Sequence, residues 1–207
     1  MSPPPSSHLL REPGPGAAPR WAGPPDGDPG TLTSLRAALV RSPDLEVVAR
    51  RFTAYPVGFA FELAIRGNAT WRIGPWGPTG PGSGEAAAEE DAGRRLVLSV
   101  GFADGRSSTD LGAMSSSGLE GFAVAESQVM IIAGGDRVLE PRPPVLVSTE
   151  GRSVAEGWDQ DYWVWGTPPR GPVRLSLSWA AAGISERSAS VDGSALRGVT
   201  RPVPGES

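Results

Sequence analysis

Asp159 and Asp161 stand two residues apart in the run Trp158-Asp159-Gln160-Asp161-Tyr162. Carboxylates at i and i+2 of an extended chain point to the same side, and together with backbone carbonyls they are the hard oxygen donors that calcium takes. Asp104 and Asp110 are further oxygens on which such a site could draw. The flanking Trp158 and Tyr162 bring a second chemistry, because an aromatic ring can stack on a sugar ring. A third chemistry needs only two carboxyls about 5–10 Å apart across a cleft, acting as acid and base in glycoside hydrolysis. Glu62, Asp104, Glu156, Asp159 and Asp161 are the residues available for it. The ordinary role of such carboxylates is to solubilise an edge or cap a loop. The sequence therefore yields no catalytic residue. It yields Asp159 and Asp161 as candidate calcium ligands, and Trp158 and Tyr162 as candidate binding residues.

Most other chemistry is excluded by what is missing. There is no Cys and no Lys, and the single His is His8, inside a proline-rich segment. That removes disulfides, thiolate nucleophiles, Cys- or His-ligated zinc, Ser-His-Asp and Cys-His arrangements, Schiff bases and the phosphate-binding lysine of nucleotide loops. An enzyme made from this chain would work with carboxylates, hydroxyls, Tyr or Arg. The formal charge of −4 proposes neither nucleic acid nor an anionic membrane as partner, and no window approaches a membrane span. Without an apolar signal-peptide core at the start, the expected compartment is the cytoplasm.

The elements that position Asp159 and Asp161 come from the stretch Trp158 to Ile184, which holds four of the seven tryptophans. It reads as a β-hairpin. Asp161 to Gly166 is rich in strand formers, Val173 to Trp179 alternates strictly, and Thr167-Pro168-Pro169-Arg170-Gly171-Pro172 turns between them. With the turn near Pro169, Trp165 faces Val173 and Trp163 faces Leu175. Both tryptophans then share a core face with Leu177 and Trp179, and Tyr162, Val164, Arg174, Ser176 and Ser178 form a face that tolerates water. The same parity sets Asp159 and Asp161 at the rim of the core face.

Other segments repeat the strand signal. Leu45 to Tyr55 is followed by a turn at Tyr55-Pro56-Val57-Gly58. Beyond it Phe59, Phe61, Leu63 and Ile65 alternate with Ala60, Glu62, Ala64 and Arg66, which predicts a second hairpin with one buried face. Leu96, Leu98, Val100 and Phe102 line one side of a strand ending in the turn Ala103-Asp104-Gly105-Arg106. Val124 to Ala133, Pro143 to Val147 and Ile184 to Val191 are shorter candidates, and residues 31–42 are a short helix or a strand. Residues 1–30, with nine Pro and five Gly, cannot bury enough surface to offset ordering entropy and read as a disordered tail, with Trp21 placed to pin it to the body. Residues 68–94 form a glycine- and proline-rich variable loop, and 197–207 fray. The result is an all-β chain: a two-sheet antiparallel β-sandwich, immunoglobulin-like or jelly-roll-like, over residues 31–196.

The chain resembles a group of small actinobacterial all-β proteins with no assigned activity. The matching pieces are Ala54-Tyr55-Pro56 with Gly58-Phe59-Ala60-Phe61, then Val100-Gly101-Phe102-Ala103-Asp104-Gly105-Arg106, and Tyr162-Trp163-Val164-Trp165 followed by Pro168-Pro169, Gly171-Pro172 and Trp179 to Ile184. The resemblance covers about 45–195 and implies strands and turns around a glycine-rich variable loop. The functional expectation is a non-catalytic sandwich that meets a protein partner through an open sheet edge or the variable loop. A calcium- or carbohydrate-binding module is the alternative, and a carboxylate-based hydrolase the third reading.

Overall fold

A computed structural model describes residues 20–67, 72–74, 77–79, 96–110 and 142–198. Their regular structure is nearly all strand. In chain order the strands are β1 (Thr31–Leu32), β2 (Ala37–Arg41), β3 (Leu45–Tyr55), β4 (Gly58–Gly67), β5 (Arg72–Gly74), β6 (Gly77–Thr79), β7 (Leu96–Gly101), β8 (Ser107–Thr109), β9 (Val145–Val154), β10 (Gly157–Trp165), β11 (Pro172–Trp179) and β12 (Ile184–Asp192). The only helical pieces among the described residues are two short 3-10 turns, at Ala180–Ala182 and Gly193–Leu196. No helix there is long and apolar enough to cross a membrane.

Two antiparallel sheets pack face to face, as the alternation predicts. The first runs β1-β3-β4-β10-β9, with β2 also paired to β3, and the second runs β12-β11-β7-β8. β5 and β6 form a separate small ribbon inside the 68–94 segment. The sheets approach at both edges, β2 against β12 and β8 against β9. At the second edge the buried hydroxyl of Ser108 accepts a hydrogen bond from the Leu146 amide, 3.1 Å long. Between the sheets lie Phe52, Phe59, Phe61, Leu63, Tyr162 and Val164 from the first, and Leu98, Val100, Val173, Leu175, Leu177 and Trp179 from the second. Phe61 stacks on Phe52 and on Tyr162, each at 5.3 Å between ring centres.

The β3–β4 hairpin has the predicted buried face, and Leu96, Leu98 and Val100 point inward from β7. Residues 31–42 hold two strands and no helix. Ile184–Asp192 pairs with β11 as a last strand. Val124 to Ala133 and the acidic, alanine-rich part of the 68–94 loop lie outside the described residues.

The hairpin expected from Trp158 to Ile184 does not form. β10 pairs with β4 and β9, whereas β11 pairs with β12 and β7, so the Thr167 to Gly171 connection crosses from one sheet to the other. Its prolines hold the chain extended and donate nothing to a ladder, and Gly166 leaves β10 at φ 119°. Two of the expected faces change as a consequence. Tyr162 and Val164 point into the core. Trp163 and Trp165 stand on the outer face of the first sheet, beside Val147 and Val145 of β9.

That outer face is covered where the tryptophans lie. Arg20 to Gly30, expected within the tail, folds back over it. Trp21 is buried against Val145, Val147 and Trp165, and the Arg20 carbonyl accepts from the Trp163 indole at 3.3 Å. Tyr55 meets the Trp163 ring edge-on at 5.5 Å. Trp21 thus pins the entering chain to the body. β10 is consequently buried on both faces, which is why its tryptophans did not reveal which face looks at the other sheet.

Candidate functional site

Further along the same outer face the cover changes from aromatic to ionic. β4 and β10 run side by side, with Glu62 opposite Asp161 and Ala64 opposite Asp159. Arg50 of β3 stands opposite Glu62, and Arg152 of β9 opposite Asp159. Directly opposed residues bring their Cβ atoms within about 5 Å. Four strands therefore place arginines and carboxylates in a single lattice.

Glu62 is its centre, with a side chain only 1% exposed. Arg50 Nε donates to Oε1 at 2.5 Å, Arg51 Nη1 donates to Oε2 at 3.2 Å, and Arg152 Nη2 also donates to Oε2. Asp159 is similarly buried and faces Arg66 Nη2 at 2.6 Å, with Arg50 and Arg152 at 3.6 and 3.7 Å. Arg66 is fixed in turn by the Ile65 and Trp158 carbonyls, at 2.8 and 3.1 Å. Arg152 spans the lattice, since its Nη1 donates to Asp161 Oδ2 at 3.1 Å.

These contacts separate the two opposed carboxyls electrostatically. Burial alone would raise the Glu62 pKa, but hydrogen bonds and charge from Arg50, then Arg51 and Arg152, outweigh it and hold Glu62 below its ordinary value. Asp161 goes the other way: burial, with repulsion from Glu62 and Glu150, raises it despite Arg152. Arg152 loses solvation, yet Asp161 and Glu62 keep its pKa raised.

Two β-bulges lie at the level of Glu62 and Asp161, one on each side of the β4–β10 pair. On β3 the register steps from Arg50↔Glu62 to Thr53↔Ala60, so Arg51 and Phe52 together oppose Phe61. Arg51 sits at φ 55°, a left-handed conformation in which a bulge normally places glycine. On β9 the register steps from Gly151↔Gln160 to Ser148↔Tyr162, so Thr149 and Glu150 together oppose Asp161. Each bulge is tied down by side chains: Thr53 Oγ1 donates to the Arg51 carbonyl at 3.4 Å, Gln160 Nε2 to the Glu150 carbonyl at 2.9 Å, and Thr149 Oγ1 to the Asp161 carbonyl at 3.3 Å. Between them lies an open groove of about 380 Å³. Arg51 and Thr53 form one wall, Thr149, Glu150 and Arg152 the other, and Pro24 and Trp163 close the end beneath the folded-back segment.

The residues singled out from the sequence are only partly brought together. Asp159 and Asp161 share the outer face, and Asp161 lines the groove. Strand alternation turns Trp158 and Tyr162 to the opposite side, where Tyr162 is core and the half-buried Trp158 donates to Gln160 Oε1 at 3.3 Å. Asp104 pairs with Arg106 at 2.7 Å in the β7–β8 turn, and Asp110 directly follows β8, both at the second sheet. Glu156 lies in the β9–β10 turn, where its carbonyl accepts from Gly67. A cation at Asp159 or Asp161 would have to displace the guanidiniums already bonded there. Among the described residues no group of three or more His, Cys, Asp or Glu is arranged to hold a metal ion.

The residues that sequence reasoning did not single out are the arginines and Glu150. A signal for Arg51 exists: the positions facing the core between the sheets run Leu45, Val47, Ala49 and then Phe52, so the alternation slips by one residue at the adjacent pair Arg50-Arg51. Compared with protein-family models, curated proteins and solved structures, the chain matches none.

Proposed function

We propose that the protein is a non-catalytic binding module that recognises its ligand in the groove between the β3 and β9 bulges. The observation that carries this reading is the pairing of two bulges at one level of the sheet, one of them forcing a non-glycine residue into left-handed backbone. Backbone strain and bulges concentrate where a sheet presents side chains to a ligand. Catalysis is the weaker reading because Glu62, the carboxyl directly opposite Asp161, is spent on three arginines, so the two do not form a free acid–base pair. Strand addition at an open edge is also weaker. The free side of β9 carries a bulge with Glu150 and Arg152, and β12 carries Glu186 and Arg187, features that discourage edge pairing.

A small-molecule fragment screen followed by amide and indole NMR tests this reading. Hits are expected to shift Thr53, Glu62, Thr149 and the Trp163 indole together. Shifts confined to β12 or the β7–β8 turn, or no shifts anywhere, would overturn it.

A further inference from the structure

We infer that the groove takes a short zwitterionic peptide, two or three residues long with both termini free, its carboxylate at Arg51 and its ammonium at Glu150. The inference rests on the groove being the binding site and goes on to name its ligand. It starts from what the lattice leaves over. Arg50 and Arg66 are committed to Glu62 and Asp159 and do not line the groove. Arg51 does line it, spends one bond on Glu62 at 3.2 Å, and keeps 68% of its side-chain surface exposed. A guanidinium has five N–H donors in a planar fork suited to a carboxylate. Arg51 therefore has donors to offer.

The opposite wall has the opposite surplus. Glu150 is exposed, makes no ion pair among the described residues, and sits close enough to Asp161 to raise its pKa. Arg51 belongs to one bulge and Glu150 to the other, so the irregularities that shape the groove put one unspent positive and one unspent negative charge on facing walls. From β3 across β4 and β10 to β9 is three strand steps, about 14 Å between outer backbones. An extended di- or tripeptide spans about 7–10 Å, and a hydrogen bond of about 3 Å at each end brings the whole to about 13–16 Å, the width between the walls. Thr53 and Thr149 hydroxyls flank the path and serve the peptide groups between the ends. A simple anion would meet the unpaired Glu150 on one wall, and a simple cation would meet Arg51 on the other. A zwitterion satisfies both walls at once.

The test is calorimetric titration of the full chain with triglycine and trialanine, then with their N-acetyl and C-amide forms. Each free terminus makes a charge-assisted hydrogen bond, so blocking either is expected to weaken binding about tenfold or more. In Arg51→Gly the free acid and the amide should bind equally while the N-acetyl penalty persists, and in Glu150→Gln the converse should hold. Glycine relieves the left-handed backbone at position 51, so a thermal midpoint no lower than that of the native chain shows that any lost binding is not lost folding. Equal binding of free and blocked peptides, or no binding of either free peptide at millimolar concentration, would overturn the assignment. If that happens while fragments still shift Thr53 and Thr149, the peptide fails and the groove stands. If nothing shifts those residues, both fall.

Discussion

Replacing Glu62 with glutamine keeps the shape of the side chain and removes the charge that three arginines share. The carboxylate is almost wholly buried, and its partners are exposed to different degrees: Arg50 34%, Arg152 44% and Arg51 68%. Breaking a fully buried ion pair costs about 3–5 kcal/mol, because the remaining charge is stranded. Here the stranded guanidiniums reach water and the glutamine carbonyl still accepts one bond, so the cost should fall to about 2–3 kcal/mol. For a domain of this size that lowers the thermal midpoint by roughly 5–10 °C. The pH dependence identifies the cause. Glu62 titrates below its ordinary value of 4.5. Its contribution is therefore complete above that value and is lost as the pH falls through the folded-state pKa. The gap between native protein and Glu62→Gln, followed by urea denaturation from pH 7 to pH 3, should narrow towards zero in acid. A gap below about 0.5 kcal/mol at neutral pH, the level of an ordinary surface substitution, would refute the lattice as the cover of this sheet face. A gap that stays constant into acid would refute the ionised state of Glu62.

Three further outcomes follow from the same geometry. Asp161 has a raised folded-state pKa, so its contribution is present below the unfolded value and is lost as the pH rises through the folded one; Asp161→Asn should gain stability relative to the native chain over that rise, and a flat or falling difference in the same denaturation series would contradict it. Ser108→Ala removes the acceptor for the buried Leu146 amide where the sheets meet, which should cost about 1–3 kcal/mol, whereas no measurable loss would mean the edge contact is replaceable. Trp21→Ala opens the contact with Val145, Val147 and Trp165 and should cost about 3–5 kcal/mol; in limited proteolysis the region 20–30 should become cleavable well before the sheets, and unchanged protection would show that Trp21 does not hold it.

The sheet content was legible where a strand keeps one wetter face. In Leu96 to Val100 and in Val173 to Trp179, period-2 alternation names the inward residues without reference to any partner strand. β10 gave no such contrast. Asp159, Gln160, Tyr162, Trp163 and Val164 are all buried, so its sequence fixes two sets of side chains and leaves open which set faces the other sheet. Chain adjacency then favoured pairing with β11. The six-residue connection, Gly166 to Gly171 with Pro168 and Pro169 adjacent and Pro172 just beyond, was the contrary signal, too stiff for a tight reversal and well suited to crossing between sheets. Once β10 belongs beside β4, the parity that grouped Asp159 and Asp161 with the tryptophans holds, on the other side of the sheet.

The site was hidden for a related reason. A carboxylate read alone in sequence suggests a metal ligand or an acid, and the arginines that satisfy Glu62 lie 12, 11 and 90 residues away. Only the register across four strands brings them together, and that register depends on two bulges. The β3 bulge is faintly written in the slipped alternation at Arg50-Arg51, whereas the β9 bulge falls where Thr149-Glu150-Gly151-Arg152 has no apolar phase to slip. Positions set by packing can be read one strand at a time. Positions set by charge in this protein exist only between strands, and the departures from regular pairing are what put Arg51 and Glu150 at the groove.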